Sequence, residues 1–177
     1  KNCNVERARK IIQTCQDLDI SVRVFFILGF PGETRVQMQE TIDFAASIPS
    51  DWNVFNIASP LIGTEMFDQL IHREEIDQSF NWDNAFFFAR SYDTEEIKAD
   101  DLNNLAYTAN INTNFFGNYN FRIGRYKKAI NLWNDIIQRY PSHLVAHYCI
   151  ALAYKKLGDK LNYKKCINIC YNLIHES

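Results

Sequence analysis

Six consecutive residues, Gly29-Phe30-Pro31-Gly32-Glu33-Thr34, place two glycines, a proline, a carboxylate and a hydroxyl where a chain turn meets a helix start. Two glycines let a small molecule approach bare backbone. A helix beginning at Thr34 adds unpaired N–H donors. Glu33 is able to accept bonds from a ligand or from the backbone of the turn, or to serve as a structural carboxylate in the first helical turn, where the dipole favours negative charge. The run lacks the Lys-Ser/Thr pair of a nucleoside-triphosphate loop, which argues against phosphate binding. A second polar group, Asn56, interrupts the apolar neighbours Val54, Phe55 and Ile57, and Ser59 follows it. Asn56 reads either as a hydrogen-bonding group aimed at a ligand or as a satisfied core amide. This is the chemistry of binding, without an acid/base pair: Glu74-Glu75 and Asp100-Asp101 read as solvated faces.

The sulfur and imidazole groups offer less. Cys166 and Cys170 stand four apart, but residue 173 is Leu, so a third thiolate at ligand spacing is missing. Their spacing suits the buried stripe of a helix. The four histidines, His72, His143, His147 and His175, show no metal-ligand spacing with the cysteines.

The elements that position these groups follow from periodicity. Val24 to Leu28 is an unbroken apolar run, too short for a helix, and predicts a strand over 22–28 buried on both faces. Thr34 and Gln37 form the sequence of a capping box opening a helix over 36–48, with Met38, Ile42, Ala45 and Ala46 as its apolar stripe. A second strand is expected over 53–58, and helices over 5–18 and 64–76. The order α-β-α-β-α is that of parallel strands joined by crossovers.

Composition sets wide limits. The chain has 177 residues, 47% hydrophobic and 23% charged, which suits a globular protein with ample core material. A net charge of −2 gives no bulk electrostatic case for nucleic acid or an anionic membrane. No apolar run approaches the roughly eighteen residues of a membrane span. Five cysteines, an odd number without framework spacing, read as reduced thiols of a cytoplasmic protein. The chain begins at Lys1 inside a helical pattern, and we expect it to be the C-terminal piece of a longer protein.

Phe26-Ile27-Leu28-Gly29-Phe30-Pro31-Gly32-Glu33-Thr34 resembles the "(F/I)-I-x-G-(L/F)-P-G-E-T" segment of radical S-adenosylmethionine (radical SAM) enzymes, most closely the methylthiotransferases and the group that often carries an N-terminal cobalamin-binding domain, often labelled anaerobic magnesium-protoporphyrin monomethyl ester cyclase-like. Asn53 to Thr64 is similar to the sixth strand of the same family and its "P-x-P-G-T" turn, with Pro60, Gly63 and Thr64 matching and Ile62 departing. The resemblance implies the fifth and sixth strands of a parallel (β/α)6 partial TIM barrel. It implies an adenosine-side wall built from Ile27, Gly29, Pro31, Gly32, Glu33, Asn56, Ala58, Ser59 and Pro60, with the apolar side chains against adenine. It also implies SAM and a [4Fe–4S] cluster as cofactors, with or without cobalamin. The intact enzyme would cleave SAM reductively to a 5′-deoxyadenosyl radical, or transfer a methyl group with cobalamin. The three cluster cysteines are missing from this chain, so their ligands are expected in the N-terminal remainder of the same protein, and this piece alone should be inactive.

Three regions are therefore expected: βα units over 1–77, an aromatic connector over 78–100, and an all-helical region over 101–177. In the last, Gly117, Gly124, Tyr126, Ala129, Trp133 and Pro141 fall at spacings similar to a tetratricopeptide (TPR) repeat. The fold class expected is thus α/β followed by all-α. The expected partners are a small-molecule substrate and the remainder of the protein, with self-association through an exposed sheet edge. The alternative function is a TPR-like protein-interaction module without enzymatic activity. The two readings differ in what an upstream Cys-x-x-x-Cys-x-x-Cys would decide.

Overall fold

The computed structural model describes residues 4–77, 79–81 and 89–175. The expected aromatic connector therefore lies partly outside the described residues, including Trp82-Asp83 and Phe86 to Phe88. The chain divides into two compact units, Lys1–Ile111 and Asn112–Ser177.

The first unit runs α1 (Val5–Asp17), β1 (Arg23–Leu28), α2 (Arg35–Ser47), β2 (Trp52–Ile57), α3 (Glu65–His72) and α4 (Ala99–Ile111). Local chemistry sets the starts of the helices. Asn4 caps α1 by accepting the Arg7 N–H at 2.9 Å. Thr34 and Gln37 complete the reciprocal capping box of α2, and Thr64 caps α3. β1 and β2 pair in parallel, with Phe26 opposite Phe55 and Ile27 opposite Asn56. In such a pair, opposed residues share a face. One face carries Phe26, Leu28, Phe55 and Ile57 into a core completed by Met38, Ile42 and Ala45 of α2 and by Leu102, Ala106 and Ala109 of α4. Phe26 stacks on Phe55 at 5.2 Å and meets the edge of Phe44. Each such side chain contributes roughly 1.5–3 kcal/mol of burial.

At the amino ends of the strands, Asp51 is buried and its Oδ2 accepts from the Gln16 amide and the Val22 N–H, at 2.9 and 2.8 Å. One carboxylate thus ties α1 to the entrances of both strands. Arg9 of α1 donates to Ser47 of α2 and lies over Phe44.

The partial barrel expected from the resemblance is overturned. The structure is mostly helical, and among the described residues its sheet has two strands, β1 and β2. Two strands of six residues do not close a barrel wall. The outer edge of β2 is moreover taken by α4, where the Asn110 side chain bonds both the N–H and the C=O of Phe55 at 3.2 Å. The strand buried on both faces is also corrected. Val24, Phe26 and Leu28 turn inward, while Phe25 and Ile27 are 66% and 47% exposed. Period two won over the apolar run because, among the described residues, helices pack on one face of the pair. The α3 helix ends at His72, short of the expected 76.

The second unit begins with a π-helical turn at Asn112–Phe116, followed by α5 (Tyr119–Arg122), α6 (Tyr126–Arg139), α7 (Leu144–Leu157) and α8 (Lys160–His175). Short connections make α6, α7 and α8 sequential packing neighbours. Trp133 is fully buried, donates its indole N–H to the Asn114 carbonyl at 2.9 Å, and lies parallel to Phe115. Gly158 closes α7 in the left-handed region, φ 76°, which favours glycine. Cys149 and Cys170 are buried, Cys166 is half-buried, and all three are free thiols.

Candidate functional site

Parallel pairing brings the carboxyl ends of β1 and β2 together, and the Ala58 N–H continues the ladder onto the Leu28 carbonyl at 2.9 Å. Ligands of parallel α/β sheets bind beyond such ends. From there β1 turns into α2 through an elbow whose two glycines both have positive φ, +83° at Gly29 and +78° at Gly32.

The elbow is bonded internally. The Glu33 carboxylate accepts the Gly29 N–H at 2.6 Å and the Phe30 N–H at 3.0 Å. The Gly29 carbonyl accepts a bond from the Arg90 guanidinium. A methyl group added to Gly29 would lie 2.5 Å from Arg90 Nη2 and 2.6 Å from Leu102 Cδ2. Glycine is required here by the chain's own arginine and leucine. At Gly32 the same construction meets only Arg73, at 3.6 Å.

Arg90 is 5% exposed. Its main chain is held by Asn103 of α4, which accepts the Arg90 N–H at 2.7 Å and donates to the Arg90 carbonyl at 3.0 Å. Its guanidinium lies over the Tyr92 ring at 5.0 Å. Burial draws the Arg90 pKa below the usual arginine value, and nearby Tyr92, Glu75, Glu96 and Glu33 oppose that shift. The guanidinium stays charged. Burial also pushes the Tyr92 phenol up. Among the described residues, Arg90 Nε and Tyr92 Oη have no hydrogen-bond partner. Alongside, Arg73 pairs with Glu75 and Glu96.

The expected site residues fall in three places. Ile27 and Asn56 are opposed partners on the sheet face away from α2 and α4, with Phe25 and Val54 beside them; Phe25 and Ile27 are exposed, Val54 and Asn56 half-buried. Pro31, Gly32 and Glu33 line an open hollow of about 820 Å³ with Phe30, at the free edge of β1 between α1 and α2. Gly29 is buried beneath the elbow, and Ala58 and Pro60 are buried beyond β2, with Ser59 half-buried between them. Ala58 and Pro60 present backbone rather than side chain there.

Arg90, Asn103 and Asn110 were not legible as site residues. The available signals were a lone arginine after an aromatic run and two asparagines seven apart on an apolar helix face, which together ask for buried polar partners. Among the described residues, no group of three His, Cys, Asp or Glu side chains is placed to hold a metal ion. No described helix is long and apolar enough to cross a membrane.

No protein-family model matches the chain, and no solved structure does. Two curated proteins are similar to part of it. An uncharacterized methyltransferase of Pyrococcus horikoshii is 29% identical over 82 residues, which is 46% of this chain and 18% of the relative. The cytidylyl-2-hydroxyethylphosphonate methyltransferase of Streptomyces wedmorensis is 31% identical over 83 residues, which is 44% of this chain and 16% of the relative. The chain is thus distantly related to methyltransferases, and it spans less than a fifth of the length of these relatives.

Proposed function

We propose that the chain is part of a SAM-dependent enzyme of the radical SAM type, acting as a methyltransferase, and that it contributes the adenosine-facing wall of the SAM site. The observation that carries this reading is the Ile27–Asn56 pair. An exposed apolar side chain and a half-buried amide stand opposite each other on the face that no described helix covers, one residue from the carboxyl ends of two parallel strands. A flat purine needs that combination: apolar contact for its ring and a hydrogen-bonding group at its edge. The similarity to two methyltransferases supports the same substrate class.

The residues present fit an adenosine group on that face. Phe25, Ile27 and Val54 offer contact area, Asn56 an amide, and the backbone from Ala58 to Pro60 further polar groups. Bound SAM supplies the transferable methyl group or the deoxyadenosyl group on which this chemistry depends. The protein's own part is to orient the nucleoside and keep water from the sheet face. The described residues do not fit an iron–sulfur cluster, because they bring no set of three ligating side chains together. A cluster, and cobalamin where used, would be held by other residues of the same polypeptide, as would the small-molecule substrate.

The test is photolabelling of the complete natural protein with 8-azido-S-adenosylmethionine, followed by peptide mapping. Label on the peptides carrying residues 25–30 or 54–60, competed by unlabelled SAM, is the expected result. Specific label confined to other peptides would remove this chain from the adenosine site.

A further inference from the structure

The peptide units on either side of the Gly29 Cα are held from opposite sides by opposite charges. On the amide side, the Glu33 carboxylate takes the N–H groups of Gly29 and Phe30. On the carbonyl side, the Arg90 guanidinium takes the Gly29 oxygen. Successive N–H groups ahead of a helix start are a ready nest for a phosphate. Here that nest already contains an anion belonging to the chain. An incoming phosphate would meet a carboxylate in place of donors. Glu40 on the wall of the adjoining hollow, and Glu75 and Glu96 beside Arg90, add to the same sign. Arg73 and Arg90 are engaged by Glu75 and Glu96 and by the Gly29 carbonyl, and Arg35, the first residue of α2, is exposed to solvent, where its charge is screened.

Arg90 is itself fixed before it reaches Gly29. Asn103 closes both polar groups of its main chain, so the guanidinium is delivered from α4 with little freedom. The elbow geometry is therefore set by a relay from Asn103 to Arg90 to Gly29, with Glu33 as counter-charge. The surface left for a ligand carries apolar groups, Phe30, the half-buried ring of Pro31 and the Phe25–Ile27 face, beside the polar Gln37, Glu40 and Thr41 of the hollow.

We propose that Arg90 and Glu33 are positioning and specificity-determining residues: together they lock the elbow so that it accepts a neutral or cationic nucleoside end and rejects a phosphorylated one. This rests on the adenosine reading above. SAM carries a sulfonium at the 5′ carbon, where adenosine monophosphate carries a dianion, so one charge at the elbow separates the two.

The test is equilibrium dialysis on the complete natural protein with two probes, S-adenosylhomocysteine and adenosine 5′-monophosphate. The wild type should bind S-adenosylhomocysteine at least about tenfold more tightly than the monophosphate, the scale of one charged hydrogen bond gained or lost. Glu33→Gln keeps the shape and one acceptor oxygen but removes the charge, and should narrow that ratio by about tenfold. Arg90→Lys keeps the charge but loses the fork, and should weaken S-adenosylhomocysteine by about tenfold, while the thermal midpoint and the affinity ratio between the probes move little. A ratio unchanged in Glu33→Gln, in a protein that melts like the wild type, overturns the proposal and leaves the adenosine reading standing. Should Arg90→Lys fail to fold, Glu33→Gln decides alone. A wild type that binds neither probe removes the adenosine reading and this proposal with it.

Discussion

Asn110 closes the outer edge of β2 as another strand would, accepting the Phe55 N–H and donating to the Phe55 carbonyl, both at 3.2 Å. Asn103, two helical turns earlier on the same α4, does the same to Arg90. One helix thus clasps two extended segments through a pair of amides. The first clasp ends the sheet and the second delivers Arg90 to the Gly29 elbow. Asn110→Leu is expected to leave two backbone groups of Phe55 unpaired and to cost about 1–3 kcal/mol. Chemical denaturation followed by circular dichroism measures it. An unchanged midpoint would mean water replaces the amide without loss. Because an unpaired edge recruits other edges, the variant should also associate more readily on size-exclusion chromatography.

Gly29 and Gly124 both have positive φ, +83° and +82°, but differ in surroundings. An added methyl at Gly124 meets nothing within 4 Å, whereas at Gly29 it meets Arg90 and Leu102. Gly124→Ala should cost the left-handed penalty alone, about 1–2 kcal/mol. Gly29→Ala should cost that plus an overpacking term of about 1–3 kcal/mol. Equal losses in the two variants would show that the arginine moves aside freely.

How far the sequence could be read follows from range. The capping box at Thr34 and Gln37 is a relation across three residues, and it is present as expected. The parallel pairing of the two apolar ribbons was legible from their order and composition. What the apolar run concealed was which face would be covered. Phe25 and Ile27 are as apolar as Phe26 and Leu28, yet α2 and α4 lie on one side. The end of α3 was also hidden. Arg73 leaves the helix to pair with Glu75 and Glu96, and Glu74 turns to φ +58°. Arg90 and Gly29 lie 61 residues apart, and no local pattern links them. The Gly29-to-Thr34 motif identified a turn that needs glycine, while the reason Gly29 is needed came from elsewhere in the chain.

Cys149 illustrates how burial decides thiol chemistry. Removal from water, with a smaller contribution from Cys170, pushes its pKa up to about 12. Burial raises Cys166 and Cys170 as well. The thiolate is the reactive form. Native protein at pH 8 should therefore leave Cys149 unmodified by iodoacetamide, and guanidinium should expose it. Mass mapping of alkylated peptides checks this. Rapid native labelling of Cys149 would mean that α7 and α8 separate on the timescale of the reaction.

His143 makes the stability of the second unit depend on pH, in a direction the geometry dictates. Its Nδ1 accepts the Ala146 N–H at 3.1 Å and so caps α7, which requires an unprotonated nitrogen. The ring also stacks on Phe115 at 4.9 Å. Burial first, and the neighbouring His147 second, hold its pKa below the ordinary 6.5, against the opposing backbone hydrogen bond. The folded state therefore binds its proton less readily than the unfolded state does. The stabilisation is complete above about pH 6.5 and is lost as pH falls through the lowered folded value. Protonation would turn the cap from acceptor to donor and place a positive charge at a helix start, where the dipole opposes it. The midpoint of thermal unfolding should hold steady from pH 8 to 7 and decline below 6.5. His143→Asn, which keeps a capping oxygen without a titrating group, should flatten that decline. Equal declines in the two proteins would assign the acid sensitivity to other groups and leave His143 as a packing residue under Phe115.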